Sequence, residues 1–353
     1  MAKAKIESIQ VFRGVAALAV VAYHSVQYTD SFIGKVDLWV YLTLGKGMLG
    51  VDFFFVLSGF IIMYVHQNDN ENLKSAITYL KKRFIRLYPV YWCTILPLLL
   101  GYALFPELSM GKEREISVIT SIFLLPTSGS SILSVAWTLV HEVIFYISFL
   151  LFFISSRLFS SYLILWVVAI FVFNIAGEAN YINRYIFSIM NIEFFLGVVA
   201  VKSLHLVKNI ATSVLVIIAG IGAILFSSMY LQYGVVGYVD NLQISFFRLF
   251  FATGMAFLIL GFVYIEGNYN ISWPSVLVLL GNASYSIYLI HAPLLSITQR
   301  LFGKLNFGWG IGLMAGCVVV TLAGIVFHFI VEKNAIRGFK KILIKKNINQ
   351  VRS

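Results

Sequence analysis

Stretches of apolar residues long enough to cross a membrane recur along the whole chain. A helix needs about 20 mostly apolar residues to span the hydrocarbon core of a bilayer, and its backbone polar groups must be satisfied within the helix. We count ten stretches, at about 8–28, 48–65, 87–105, 132–154, 160–175, 187–204, 210–230, 244–265, 277–299 and 308–331. The sequence therefore predicts an all-α, polytopic membrane protein with about ten transmembrane helices.

The composition excludes a soluble domain. Of the 353 residues, 60% are hydrophobic and 12% are charged, whereas soluble domains are roughly 45–50% apolar and about 25% charged. The net charge of +11 does not indicate nucleic-acid binding, because cations on so apolar a chain are typical of loops that face an anionic inner leaflet. We expect membrane lipid as a partner, and no nucleic acid.

The distribution of basic residues predicts the orientation. Ten spans place both termini on one side, and Lys and Arg concentrate in cytoplasmic loops. With both termini in the cytoplasm, 17 of the 26 Lys and Arg fall on inner segments and eight on outer segments, while Arg13 lies inside the first span. We expect one integral-membrane domain over 1–353 in the inner (cytoplasmic) membrane, with transmembrane helices over about 8–331 and a basic cytoplasmic tail at 332–353.

Two ionisable residues in the first span, Arg13 and His24, share one helix face. Such residues are costly inside a membrane and are functional candidates. They are eleven positions apart, which is about three helical turns and roughly 16 Å. A fixed cation at that distance from an imidazole suits a ligand with a phosphorylated head and a long arm, such as coenzyme A. The spacing also fits an Arg that reaches the membrane surface and a His that is satisfied in the core.

A second basic pair, Arg83 and Arg86, lies in the segment TYLKKRFIRLYPVYW before the third span. We predict a helix start here, where positions three apart face the same way and two guanidiniums can grip a phosphate. A basic run beside a membrane is more often a signal for topology and anionic lipid. The spacing alone does not decide between these interpretations.

Five motifs follow one another along the chain and extend from the first span to the ninth. They are Arg13-x10-His24, GVDFFFVLSGFII at 50–62, RFIRLYPVYW at 83–92, SVAWTLVHEVIFY at 134–146 and NASYSIYLIHAPL at 282–294. In this order they resemble the acyltransferase 3 family, integral-membrane O-acyltransferases that modify cell-surface glycans and small metabolites. The resemblance implies that acyl-CoA, above all acetyl-CoA, serves as co-substrate, with no permanently bound cofactor.

With this resemblance, His24 becomes the expected central catalytic group. It acts either as a general base for the acceptor hydroxyl or as a nucleophile that forms an acyl-imidazole. Glu142 and Asp52 are expected to orient the imidazole and to stabilise its charged form, although a role at the start of a helix stays open for Asp52. Glu142 needs a partner within the membrane, and we expect His24, Arg13 or His291.

The remaining candidates divide between donor and acceptor. The side chains expected to bind the donor are Arg13, Arg83, Arg86, Tyr285 and Tyr288, with the two tyrosines near its cytoplasmic entrance. The side chains expected at the acceptor are Trp137, Thr138 and His291, although Trp137 also fits an anchor at the membrane interface. We predict no metal site, because no set of His, Asp and Glu has recognisable ligand spacing.

These observations predict an O-acyltransferase, most simply an O-acetyltransferase. It would move an acyl group from cytoplasmic acyl-CoA to a hydroxyl of a surface polysaccharide or of its lipid-linked precursor. A transporter or flippase of glycan precursors is the alternative, because buried charges around a cavity also describe transporters. That alternative predicts paired repeats with interrupted helices, and we find no convincing repeat.

Overall fold

A computed structural model describes residues 6–104, 116–176, 180–230, 242–269 and 271–344. Within these residues, ten helical segments are long and apolar enough to cross a membrane. They are α1 (Glu7–Phe32), α2 (Leu38–His66), α3 (Leu73–Leu104), α4 (Ser134–Ile154), α5 (Ser156–Ala176), α6 (Tyr181–Leu206), α7 (Ile210–Tyr230), α8 (Ser245–Asn268), α9 (Ser275–Lys304) and α10 (Trp309–Leu343). The predicted all-α, ten-span architecture is confirmed.

Several segments change helix type along their length. The component helices and turns are Leu38–Leu44, Gly45–Leu49 (3₁₀) and Gly50–His66 in α2; Ser134–Ala136 (3₁₀), Trp137–Ser148 and Leu150–Ile154 in α4; Tyr181–Ile186, Met190–Ser203 and Leu204–Leu206 (3₁₀) in α6; and Trp309–Phe327, His328–Glu332 (π) and Lys333–Leu343 in α10. The helix of α8 begins at Leu242, and a short helix, Val118–Phe123, lies between α3 and α4. In the π turn, His328 Nδ1 is 2.8 Å from Glu332 Oε2, which also accepts a hydrogen bond from Ser286 (2.5 Å).

Helix α3 begins fourteen residues before the predicted start at 87. Asn72 caps it, since its side-chain oxygen accepts a hydrogen bond from the backbone N–H of Ser75 (2.8 Å). Its first turns alternate apolar residues such as Ile77 and Leu80 with Lys74, Lys81 and Lys82, and therefore form no continuous apolar stretch. Arg83 and Arg86 consequently lie well inside a helix, and the prediction that they mark its start is wrong.

The inner helices approach closely at glycines. Helix α1 packs extensively against α9, and α2 packs against α6. A Cβ atom at Gly281 of α9 would lie 1.8 Å from the Gln10 carbonyl oxygen of α1, and one at Gly59 of α2 would lie 1.9 Å from the Phe194 carbonyl oxygen of α6. Small residues allow backbones to approach this closely in membranes. The helices that carry Arg13, His24, Asp52 and His291 therefore form the centre of the bundle.

The start of α1 is held by a carboxylate from a distant helix. Glu266, near the end of α8, accepts hydrogen bonds from the backbone N–H groups of Glu7 (2.5 Å) and Ser8 (2.9 Å). These groups have no partner within their own helix, and negative charge is favourable at a helix N-terminus. Glu266 thus fixes the end of the helix on which Arg13 and His24 lie.

Helices α5 and α7 lie at the periphery. Ile164 and Leu165 of α5 are each 67% exposed, and Leu215 and Ile218 of α7 are 65% and 59% exposed. Apolar side chains that are exposed on the surface of α5 and α7 are suited to contact with lipid tails. Of the predicted tail at 332–353, Lys333–Leu343 is helical and continues α10, while 345–353 lies outside the described residues.

Candidate active site

A large cavity of about 900 Å³ lies between α1, α2, α3, α4 and α9. All five side chains predicted to bind the donor line it, together with Glu142 and Thr138. The basic residues of its wall are Arg13, Lys82, Arg83 and Arg86, and the acidic ones are Asp69 and Glu142. The cavity therefore has an excess of positive charge, and its volume lies within the range of about 300–1,000 Å³ found for ligand sites.

Arg83 is held in a fixed position in this wall. Its guanidinium carbon lies 5.6 Å from the ring centroid of Tyr79 and 5.7 Å from that of Tyr146. Its Nη2 donates to His66 Nε2 (3.3 Å), and the opposite ring nitrogen of His66 donates to Asp69 (2.7 Å). Because a cation is favourable over aromatic faces, this arrangement keeps Arg83 oriented at the mouth of the cavity. Sequence reasoning did not identify His66 or Asp69 as part of the site.

The other two guanidiniums have fewer partners. Arg13 donates from Nη1 to Gln10 Oε1 (3.3 Å), which lies one turn earlier on α1. Within the described residues, the side chain of Arg86 makes no hydrogen bond or ion pair. A guanidinium carries five N–H donors, so Arg13 and Arg86 both have donors left for an anionic ligand.

Glu142 is bound by hydroxyl groups and not by the predicted partners. Its carboxylate accepts hydrogen bonds from Ser58 of α2 (3.4 Å) and from Tyr146, one turn later on α4. In the part of the chain that the structure describes, no ion pair joins Glu142 to Arg13, His24 or His291. The expected contacts with His24 and His291 are therefore wrong, whereas Arg13 lies within electrostatic range of Glu142 without direct contact.

His24 lines a separate small cavity of about 90 Å³, whose wall includes Tyr23, Val51, Trp137, Arg248 and Tyr288. Its Nδ1 is 3.0 Å from Gln27 Oε1, and Gln27 Nε2 donates to the Tyr23 hydroxyl (2.7 Å). Since the amide nitrogen is bonded to Tyr23, the amide oxygen faces His24, and an amide oxygen only accepts. Nδ1 therefore carries the proton and Nε2 is the basic nitrogen. Sequence reasoning missed Gln27, although its position three residues along the helix is a signal for contact.

His291 lies beside His24. The two ring centroids are 4.9 Å apart. His291 is fully buried, and its Nδ1 donates to the backbone carbonyl of Tyr288 (2.5 Å). Its Nε2 is buried without a hydrogen-bond partner among the described residues. The structure thus brings two imidazoles together, each with its Nδ1 fixed by a hydrogen bond.

Asp52 does not contact His24 as predicted. Its carboxylate, 0% exposed, accepts two hydrogen bonds from Arg248 of α8, at 2.7 Å from Nε and 3.0 Å from Nη2. Two buried charges are tolerated when they pair with each other, and the partner of Asp52 is Arg248. Arg248 lies at the start of the predicted eighth span, 244–265, and the structure buries it within the bundle.

The predicted acceptor residues are divided between the two cavities. Trp137 lines the small cavity with His24, and His291 lies against the His24 ring. Thr138 instead lines the large cavity, where its hydroxyl is 2.8 Å from that of Tyr288. Tyr288 and Val51 line both cavities, so these two side chains separate the basic wall from His24.

Comparison with known proteins gives a family match over nearly the whole chain. A family model described as an acyltransferase domain matches residues 6–329. The exopolysaccharide production protein ExoZ of Rhizobium meliloti (strain 1021) is 26% identical over 311 residues, covering 82% of this chain and 90% of ExoZ. The acyltransferase MdmB of Streptomyces mycarofaciens is 29% identical over 157 residues, covering 41% of this chain and 38% of MdmB.

A shorter match is protein 2 of the picA locus of Rhizobium radiobacter, 31% identical over 157 residues, or 37% of this chain and 74% of that protein. No solved structure matches this chain.

Proposed function

Because this chain belongs to the acyltransferase family whose model covers residues 6–329, we propose that it moves an acyl group from acyl-CoA to a hydroxyl of a surface polysaccharide or of its lipid-linked precursor. It is a multi-pass membrane acyltransferase. The observation that carries the proposal is that two cavities of different character share part of their wall. One is large and lined by an excess of basic residues, and the other contains His24.

The large cavity suits the donor. Arg13, Arg83 and Arg86 present guanidinium groups to it, and guanidiniums bind phosphate oxygens through paired N–H donors. With the phosphates held there, the long pantetheine arm carries the thioester toward Tyr288 and His24. Acetyl-CoA is the simplest donor of this class.

His24 supplies the reacting nitrogen. In direct transfer, its Nε2 takes the proton of the acceptor hydroxyl as the oxygen attacks the thioester carbonyl, and CoA leaves as the thiolate. In the two-step route, Nε2 attacks the thioester itself and CoA leaves as the thiolate. The acceptor oxygen then attacks the acyl-imidazole, the bond from Nε2 to the acyl carbon breaks, and the freed Nε2 takes the hydroxyl proton. Both routes require the Nδ1-protonated form of His24 that Gln27 favours.

The name of ExoZ supports a polysaccharide acceptor, and that of MdmB supports acyl transfer. The proposal is tested by comparing surface polysaccharide from the source organism with and without this gene by NMR. We expect one ester resonance to disappear, because the acyl group would no longer be attached to its sugar hydroxyl. Membranes with the protein should release CoA from acetyl-CoA, which the rival function of transport does not require. Identical spectra together with no CoA release would contradict the proposal.

For the orientation, we propose that both termini lie in the cytoplasm, with the large cavity open to the same side at Asn68 and Asp69. This places the donor site where acyl-CoA is made and agrees with the excess of basic residues on inner segments. In a cysteine-accessibility map, cysteines introduced at 67–72 and near residue 205 should react with a membrane-impermeant thiol reagent only after the membrane is permeabilised. Cysteines introduced near residue 34 should react with the same reagent in intact cells. The reverse pattern would invert the orientation.

A further inference from the structure

Two side chains, Val51 and Tyr288, stand between the basic cavity and His24, since both line both cavities. If the donor occupies the large cavity, its acyl group has to pass them to reach the imidazole. We propose that Tyr288, with Val51, limits the length of the acyl group that reaches His24, so that the enzyme selects short acyl donors. This inference rests on the proposed function.

The ring of Tyr288 is fixed at its hydroxyl end. The hydroxyl donates to Thr138 Oγ1 (2.8 Å) and lies 3.3 Å from the Val135 carbonyl oxygen, both at the start of α4. Thr138 in turn donates to Val135 (3.0 Å). The ring also makes an edge contact with Phe54, with centroids 5.9 Å apart. Tyr288 is thus attached to the facing helix and cannot turn aside without losing hydrogen bonds.

The space beyond Tyr288 is small. The cavity around His24 is about 90 Å³, a tenth of the large one. A buried water needs a cavity of at least roughly 10–15 Å³, so the space around His24 is small. An acetyl group has three non-hydrogen atoms, and part of the acceptor must also fit beside His24. A butyryl group has five such atoms and an octanoyl group nine, so each longer chain leaves less of this space for the acceptor.

The test measures the preference between donors, using membranes of the source organism as the supply of native acceptor. Membrane vesicles from a strain without its own copy, carrying the wild-type chain or a variant, receive radiolabelled acetyl-CoA or butyryl-CoA. The label that enters the glycan fraction is counted. One methylene in an apolar pocket changes selectivity by roughly 10- to 200-fold, so we expect the wild type to prefer acetyl over butyryl by at least about 100-fold.

Tyr288→Ala and Val51→Ala are each expected to reduce this preference at least about tenfold, since each widens the passage by more than a methylene. Tyr64→Ala is the matched control. It also removes a ring, but Tyr64 lines the large cavity and not the cavity around His24, so the ratio of acetyl to butyryl transfer should stay at the wild-type value. Binding of CoA to each variant shows that the protein is folded.

Different results separate the inference from the function on which it rests. If the wild type transfers neither acyl group, the proposed function fails. If it transfers both equally well, or if the preference is the same in wild type, Tyr288→Ala and Val51→Ala, the filter is wrong while the function stands. If Tyr288→Ala does not accumulate in the membrane, the ratio of acetyl to butyryl transfer in Val51→Ala decides whether the filter exists. A change of preference in Tyr64→Ala as large as in Tyr288→Ala would also overturn the proposal.

Discussion

Replacing His24 with alanine is expected to stop acyl transfer while the protein still inserts, folds and binds CoA. A hydroxyl is a poor nucleophile near neutral pH, and imidazole is well suited to take its proton. General-base catalysis is typically worth about 10² to 10⁴ in rate, so the loss should be of at least that size. His24→Gln should fail as well, because an amide does not accept the proton. The measurement is label transferred from radiolabelled acetyl-CoA to the glycan fraction.

Two controls make this result specific. His205→Ala alters an exposed histidine on the short turn Leu204–Leu206, far along the chain from either cavity, and should transfer at the wild-type rate. A single-turnover reaction without acceptor then separates the two routes. Label on the protein that is absent from His24→Ala indicates an acyl-histidine, and the absence of label from wild type favours direct transfer. Activity of His24→Ala within a few-fold of wild type would remove His24 from the mechanism and leave Glu142 as the next candidate base.

The number and order of the spans could be predicted because each apolar stretch must satisfy its own backbone in lipid. The limits of the helices were harder to predict. The first turns of α3 mix basic and apolar residues and form no continuous apolar stretch, although Leu73, Ile77 and Leu80 recur at helical spacing and Asn72 caps the start. Arg248 lies near the edge of a predicted span, where a charge is usually assigned to a loop. Its burial depends on an acidic partner on another helix, which no local pattern contains.

The same distinction holds for the site. The residues predicted for the donor converge on one cavity because positions three apart share a helix face, as Arg83 and Arg86 do, and Tyr285 and Tyr288 do. The partners of the acidic residues could not be predicted in this way. Asp52 and Arg248 are 196 positions apart, and Glu142 accepts its hydrogen bonds from the neutral hydroxyls of Ser58 and Tyr146. Partner choice depends on tertiary packing, whereas periodicity reports only which face a residue is on.

The largest effect on stability is expected at the buried pair of Asp52 and Arg248. Asp52→Asn removes the negative charge that faces the guanidinium of Arg248, which is only 5% exposed, and replaces one of the two acceptor oxygens with an NH2 donor. Removing one partner of a buried ion pair typically costs about 3–5 kcal/mol. We expect a lower yield of folded protein and a clearly lower unfolding temperature in detergent. Asp52→Asn combined with Arg248→Met should recover much of the loss, because an apolar replacement of both partners is often neutral.

Glu193 provides the decisive control for this prediction. It is fully buried and lies within interaction range of Asp52 as well as of Arg248. Because it lies within electrostatic range of Arg248, it is available to replace Asp52 in the single variant. Asp52→Asn with Glu193→Gln removes both carboxylates and should be less stable than either single variant. If that double variant is as stable as wild type, the pair does not stabilise the bundle. If Asp52→Asn stays fully stable but loses acyl transfer, Asp52 acts on the reaction, as the sequence analysis predicted, through a route other than contact with His24.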